Sequence, residues 1–397
     1  MSKPTSRERM LHAIRLEQVD HPPCAFMSFT ALRKRVNEDL YELARRELAL
    51  GLDSFLFIPS AGRPLRPEHP ELRGLPVRFD ERVRTREWSS PDDQGQNALY
   101  KEYHTPAGVL ACSVRVSDDW PHGDHIPFID DFQVPRALKP LVTNQADLDP
   151  LQFMLTPPGE TDKAAFIAEA GRARDFVAQH GILLAGGWGV GFDMAAWLCG
   201  IQNLMVMAIT QEEFVKDLLG LIGDWNLKRM ELVLSGGLDL YIRRAWYEGC
   251  DFVTPRFFRR VLLPQLQRET ALAHEHGVKF GYICSSGLLP MLDLYLEAGI
   301  DVLIGLDPIQ GTHTDLQAIK AGIGERICIW GGVSGAVTVE LGSEAEVRSA
   351  VRHAMAALGP RGFILSPVDN ITVDVPQTWH NIDAFIDEWQ ASDSLKT

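Results

Sequence analysis

Within Tyr241-Ile-Arg-Arg-Ala-Trp-Tyr-Glu248 the chain collects two guanidinium forks, an indole, two phenols and a carboxylate. Arginine suits a two-pronged grip on a carboxylate. Arg243, Arg244, Tyr247 and Glu248 are therefore candidate catalytic groups for chemistry on an anionic substrate. Neighbouring residues of a strand face opposite sides, so one of the two arginines should enter the site and the other point away. An internal salt bridge to Glu248 is the competing structural explanation.

Five more segments offer chemistry of the same kind. Phe280-Gly-Tyr-Ile-Cys-Ser-Ser-Gly287 sets Cys284 where a strand meets the next helix, near a positive helix end that lowers a thiol pKa; a small core residue is the alternative. Ser366-Pro-Val-Asp-Asn-Ile371 offers Asp369 as general base, metal ligand or helix cap, with Asn370 beside it. Gly186-Gly-Trp-Gly-Val-Gly-Phe-Asp193 permits close backbone approach to a ligand, with Trp188 and Asp193 as substrate contacts, although Asp193 is equally suited to cap a helix. Gly305-Leu-Asp-Pro308 with His313 and Asp315, and Gly331-Gly-Val-Ser-Gly335, could cradle a polar group, though such turns need glycine anyway. The histidines His104, His122, His125, His274 and His276 read as surface or packing residues, with His122-Gly-Asp-His125 the stretch that could fold over a site.

Each of these segments ends a short apolar run. The runs are Cys24–Phe29, Ser54–Pro59, Ile182–Gly187, Leu238–Arg243, Lys279–Cys284, Val302–Leu306, Ile327–Gly331 and Gly362–Ser366. Helical patterns separate most of them, which demands a parallel sheet covered on its outside and closed into an α/β (β/α)8 TIM barrel. In such barrels reactive side chains sit at the carboxyl ends of the strands. A capped N-terminal helix over Thr5–Glu17, a charged helix over Ala31–Leu50 and a last helix over Trp379–Trp389 flank the pattern. Residues 63–138 break it with alternating runs at Val77–Trp88 and Tyr100–Val116 around the Thr105-Pro-Ala-Gly108 turn, an antiparallel insertion expected to cover one barrel mouth. Lys139–Gly159 reads as a linker, and the 397 residues are expected to form one domain, 1–397.

With 39 Lys and Arg against 53 Asp and Glu, the net charge of −14 repels phosphate backbones and excludes nucleic acid as a partner. No apolar run approaches the roughly 20 residues of a membrane span, and the N-terminus lacks a secretion signal, so a cytoplasmic protein with no membrane partner is expected. The six cysteines have no CxxC spacing, which argues against disulfides.

Arg7-Glu-Arg-Met-Leu-His-Ala-Ile-Arg-Leu-Glu17 followed by Asp20-His-Pro-Pro23, the Thr254-Pro255…Pro264 signature and Gly362-Phe-Ile-Leu-Ser366 resemble the uroporphyrinogen decarboxylase superfamily over nearly the whole chain. The resemblance implies the barrel fold and two branches of chemistry: cofactor-free decarboxylation of a tetrapyrrole, and zinc-dependent methyl transfer involving a corrinoid protein and a thiol or folate acceptor. Two departures follow. The Arg-Gln-Ala-Gly-Arg stretch that grips substrate in the decarboxylases is replaced by Met27-Ser-Phe-Thr-Ala-Leu-Arg33. Where the methyltransferases hold zinc with a His-x-Cys pair and a later Cys, the matching positions here are Tyr282, Cys284 and Asp369, with Glu248 available to complete the shell. The expected activity is methyl transfer between a small donor and a corrinoid or thiol or folate acceptor, with Cys284 and Asp369 as metal ligands, Tyr282 as a substrate contact, and corrinoid supplied by a partner protein. A metal-free decarboxylase using Asp369 and the arginines, needing no cofactor, is the alternative, and a non-catalytic tetrapyrrole- or corrinoid-binding protein the third. The resemblance also implies a homodimer.

Overall fold

In the computed structural model the described residues are 4–58 and 75–393. Pro59 and the start of the expected insertion, 63–74, lie outside them. In chain order the strands are β1 (Phe55–Ile58), β2 (Arg84–Pro91), β3 (Asn97–Thr105), β4 (Gly108–Arg115), β5 (Ala137–Lys139), β6 (Leu183–Gly189), β7 (Leu240–Arg244), β8 (Lys279–Ile283), β9 (Val302–Leu306), β10 (Cys328–Ser334) and β11 (Phe363–Val368). Two compact units result: Met1–Ile58, Glu169–Trp188 and Leu234–Thr397 form the first, Pro59–Ala168 and Gly189–Val233 the second.

The first unit holds a parallel sheet in the order β1-β6-β7-β8-β9-β10-β11. The remaining expected strand, Cys24–Phe29, shrinks to a single parallel bridge between Cys24 and Leu365. Its backbone still closes the ring. The Ala25 N–H donates to the Leu365 carbonyl (3.1 Å) and the Leu365 N–H to the Pro23 carbonyl (2.8 Å), while on the other side the Asp53 N–H donates to the Cys24 carbonyl (2.8 Å). Pro22 and Pro23 have no N–H to give to a ladder, which keeps this stave short. The fold class is thus the expected (β/α)8 barrel.

Inside the barrel, Leu240, Ile242, Ile283, Ile304 and Trp330 belong to one buried cluster. The N-terminal helix, Ser6–Ile14, adds Met10, Leu11 and Ile14 to it, and Thr5 begins that helix with a capping box to Glu8. Arg7 donates to Asp239 at 2.6 and 2.9 Å, and Asp239 also accepts the Leu184 N–H at 3.0 Å. Arg9 joins Asp20 (2.9 Å) to buried Asp53 (2.6 Å), whose other oxygen accepts the Cys24 N–H (3.0 Å). The N-terminal residues behind the family resemblance therefore brace the amino ends of the strands, away from where barrel chemistry takes place.

The single helix expected over Ala31–Leu50 is two, Thr30–Arg35 and Leu40–Ala49. Asn37 and Glu38 between them have φ of 53° and 63°, and Asp39 restarts the helix by accepting from the Tyr41 and Glu42 N–H groups.

In the second unit, β2-β3-β4-β5 form an antiparallel sheet, and β3 and β4 turn at Thr105–Gly108 as expected. The run from Val77 pairs only from Arg84 onward. Buried Lys101 donates to the Ile126 carbonyl (2.6 Å) and pairs with Glu87 (3.0 Å). Burial pushes the Glu87 carboxyl up, but His125, Lys101 and the Ile126 N–H outweigh it and bring it down to about 2. His125 and His122 are engaged inside this unit, with Glu87 at 3.0 Å and Asp130 at 3.4 Å. Among the described residues no single helix is long and apolar enough to cross a membrane; the apolar pair Phe192–Cys199 and Ile201–Thr210 is bent by 108°.

Candidate active site

The two arginines of β7 part company. Leu240 and Ile242 face the barrel core, and alternation puts Arg244 on that side, with Arg243 facing the helices. Arg243 is 1% exposed, donates to Glu248 (Nη2 to Oε1, 2.6 Å) and forms an ion pair with Glu269 (Nε to Oε2, 3.2 Å), the latter on the helix Leu263–Glu275. The Tyr282 hydroxyl donates to the second oxygen of Glu248 at 2.5 Å. Burial, and then the charge of Glu248, push the Tyr282 phenol well up, so it stays protonated and serves as a donor.

Arg244 is 5% exposed, and its guanidinium carbon lies 5.9, 5.7 and 5.9 Å from the ring centroids of Trp188, Trp246 and Tyr247. The three rings are half-buried. Phe57 abuts Trp188 (6.4 Å) and Phe252 abuts Tyr247 (5.2 Å), both edge to face, which fixes the ring planes.

Trp188 has φ of 51°, a conformation L-residues avoid and one that gathers at ligand sites. It follows Gly187, whose φ is 120° and where a Cβ would meet the Tyr241 ring at 2.6 Å and the Ile242 carbonyl at 2.9 Å. Replacing Gly187 with alanine is expected to lower stability by about 1–3 kcal/mol and to shift Trp188 fluorescence, both read from one thermal melt. An unchanged melt would mean that β6 and β7 do not need this close approach.

The remaining nominees are dispersed. Cys284 continues the helix-facing side of Tyr282; it is buried, and its Sγ lies 3.5 Å from the Tyr295 hydroxyl and 3.6 Å from the Ser286 carbonyl. The next helical turn starts only at Leu289, so Cys284 does not sit at a helix N-terminus as expected. Asp369, at the end of β11, is exposed with φ of 68°. Asn370 accepts the Thr30 N–H (3.0 Å) and donates to the Thr30 hydroxyl (2.9 Å), tying β11 to the first helix after Cys24. His313 is exposed, with φ of 52°, and Asp315 caps the helix Leu316–Ile323. Asp193 is fully buried in the second unit, inside the first turn of Phe192–Cys199, and Gly191 takes the cap position instead.

These side chains do not fit a zinc centre. Cys284 points to the helix layer, Tyr282 is a protonated donor to Glu248, and β9 and β10 separate the strands that carry Cys284 and Asp369. Among the described residues no three His, Cys, Asp or Glu side chains converge.

Asp307 belongs to the Gly305–Pro308 cradle that the sequence offered, whereas the role of Asp251 escaped the sequence reading. Asp307, after β9, is 2% exposed; one oxygen accepts the Ile309 and Gln310 N–H groups (2.8 and 3.0 Å), and the other is buried without a partner among the described residues. Asp251 accepts from the hydroxyls of both Ser286 and Thr312, joining the loops after β7, β8 and β9. A shallow depression of about 400 Å³ in the second unit, lined by Arg115, Asp119 and Arg136, is no rival site: both guanidiniums are paired, with Asp92 and Asp119.

A parallel barrel presenting an arginine and aromatic rings at the carboxyl ends of its strands is of the class whose ligand sites are built from strand ends and following loops. A sequence model of the family uroporphyrinogen decarboxylase (URO-D) matches residues 123–391, and the chain belongs to that family. No curated protein matches. Among solved structures, a methyltransferase from Methanosarcina mazei aligns over 98% of this chain and 99% of its own, with 16% identity and a TM-score of 0.62. A B12-independent methionine synthase from Shewanella aligns over 94% of this chain and 97% of its own, with 10% identity and a TM-score of 0.43.

Proposed function

We propose that this chain is a metal-free enzyme that grips a substrate carboxylate with Arg244 and releases a carboxyl group as CO2. The observation that carries the reading is the placement of Arg244, a nearly buried guanidinium on the core side of β7 beneath three rings. The lack of fit between Tyr282, Cys284 and Asp369 and a zinc shell turns the choice away from the metal branch. The carbon–carbon bond to the leaving carboxyl breaks, its electron pair moves into the substrate's own unsaturated system, and that carbon takes a proton from Asp369 or the buried Asp307. Arg244 would hold, by paired N–H···O bonds, a carboxylate that stays on the substrate, and so orient the bond that breaks.

Methyl transfer between a small donor and a corrinoid on a partner protein, or to a thiol or folate acceptor, is the second reading. It is favoured by the fold shared along the whole chain with the Methanosarcina methyltransferase.

The test is CO2 release from a panel of carboxyl-labelled acids, with and without chelator, beside the metal content of the same preparation. Chelator-insensitive release that falls about 100-fold in Arg244→Gln is expected. Stoichiometric zinc removed by both Cys284→Ala and Asp369→Ala would sink the proposal in favour of methyl transfer.

A further inference from the structure

We infer that Asp307 forms a subsite for a protonated nitrogen, an ammonium or amidinium group, on the ligand that enters the barrel mouth at the carboxyl ends of the strands. The strand sets its direction. On β9, Val302 and Ile304 belong to the interior cluster, so plain alternation would send Leu306 inward and Asp307 out to the helices. The pairing with β10 departs from plain alternation: Ile304 stands against Trp330 but Leu306 against Gly331, which makes Gly305, with φ of 98°, an inserted residue. One inserted residue reverses the faces of those that follow it. Leu306 is accordingly absent from the interior cluster, and Asp307 takes the inner side at the end where barrel chemistry takes place.

The unmet oxygen of Asp307 defines the ligand chemistry. Its Oδ1 accepts the Ile309 and Gln310 N–H groups (2.8 and 3.0 Å), which fixes the carboxylate. Its Oδ2 is buried with no donor among the described residues, and none of their Lys, Arg or His side chains pairs with it. A carboxylate out of water with one oxygen unmet is costly, and a cationic N–H donor offsets both the missing bond and the unbalanced charge. A neutral hydroxyl or amide supplies the bond alone. The net charge of −14 draws cations to the chain as well. The turn that carries the carboxylate is held firmly: the Thr314 hydroxyl donates to the Gly311 carbonyl (3.1 Å), and a Cβ on Gly311 would meet the Ser285 carbonyl at 2.4 Å. An Asp307 so occupied leaves the proton of the proposed reaction to Asp369, and the subsite stands whichever reaction the mouth carries out.

Calorimetric titration of the full chain with benzamidinium and benzylammonium, each beside its neutral counterpart, benzamide and benzyl alcohol, tests this in the parent and in Asp307→Asn. At least one cation is expected to bind the parent about 10- to 100-fold tighter than its counterpart, with that margin gone in the variant. Thermal melts without ligand give the second readout. Asp307→Asn is expected to melt no lower than the parent, because a neutral amide is cheaper to bury than an unmatched carboxylate. A variant that melts several degrees lower, or does not fold, would show that the fold itself satisfies this carboxylate and would overturn the subsite. Equal binding of cations and neutral counterparts, as a carboxylate met by a buried water would give, would overturn it too. So would a margin that survives in Asp307→Asn, or a parent that binds neither cation. The CO2 assay with Arg244→Gln is read separately from all of these outcomes.

Discussion

Arg243→Met is expected to lower the unfolding free energy by roughly 3–5 kcal/mol, a loss measurable as a shifted urea midpoint at pH 7. Arg243 lies between Glu248 and Glu269, both fully buried, and removing it takes a counter-charge from two carboxylates in the interior. Methionine keeps most of the volume, so the effect reports charge and not a cavity. Adding Glu248→Gln and Glu269→Gln to the same chain should recover most of the loss, because the carboxylates left behind are its source. A drop below about 1 kcal/mol in the single variant would mean that solvent reaches these carboxylates. Loop geometry is at stake as well: the Arg243–Glu248 bond and the Glu248 N–H to Ala245 carbonyl bond (3.1 Å) close the turn that carries Trp246 and Tyr247.

Stability is expected to fall as the pH rises from 5 to 8, by about 3–4 kcal/mol, and Glu47→Gln should remove most of that slope. Burial pushes the Glu47 carboxyl up to about 8 from its ordinary 4.5, against a smaller opposing effect from the Ser54 hydroxyl that donates to it at 2.6 Å. The folded state therefore keeps the proton through a range in which the unfolded chain has released it. The stabilisation is complete below pH 4.5 and is lost as the pH climbs through 8. Glu87, held near 2, titrates below this window and leaves it undisturbed. Melting temperatures of parent and variant from pH 5 to 8.5 check the expectation; parallel curves would show that Glu47 titrates normally in the fold.

The barrel was legible because its strands are short apolar runs. Val302–Leu306 falls where the sequence put it, and the other strands after Ile182 shift at their ends by no more than a few residues. The Cys24 stave was overextended because local apolarity says nothing of how many ladder partners two preceding prolines leave available. The helix break at Asn37 and Glu38 was hidden for a similar reason: left-handed backbone at non-glycine residues leaves little trace in a periodicity. At the site, alternation stated that the two arginines diverge, but choosing between them needed Ile242 as a reference of known side. The partners of Cys284 could not be read, since Tyr295 reaches it from the helix Leu292–Ala298. Asp251, Ser286 and Thr312 come from three loops and share no spacing.

Closure through Cys24 also dictates an order of events during synthesis. The Met27 N–H waits for the Ser366 hydroxyl across 339 positions, and the Pro22 carbonyl for the Trp389 indole across 367. At roughly 5–20 residues per second, the apolar stripe of Met10, Leu11 and Ile14 leaves the ribosome about 20–70 s before β11 can complete the ring around it. Until then β1 and β10 are open sheet edges, the parts of a nascent chain most prone to pair with a neighbour. A translational stall before Phe363 would thus leave a sticky intermediate.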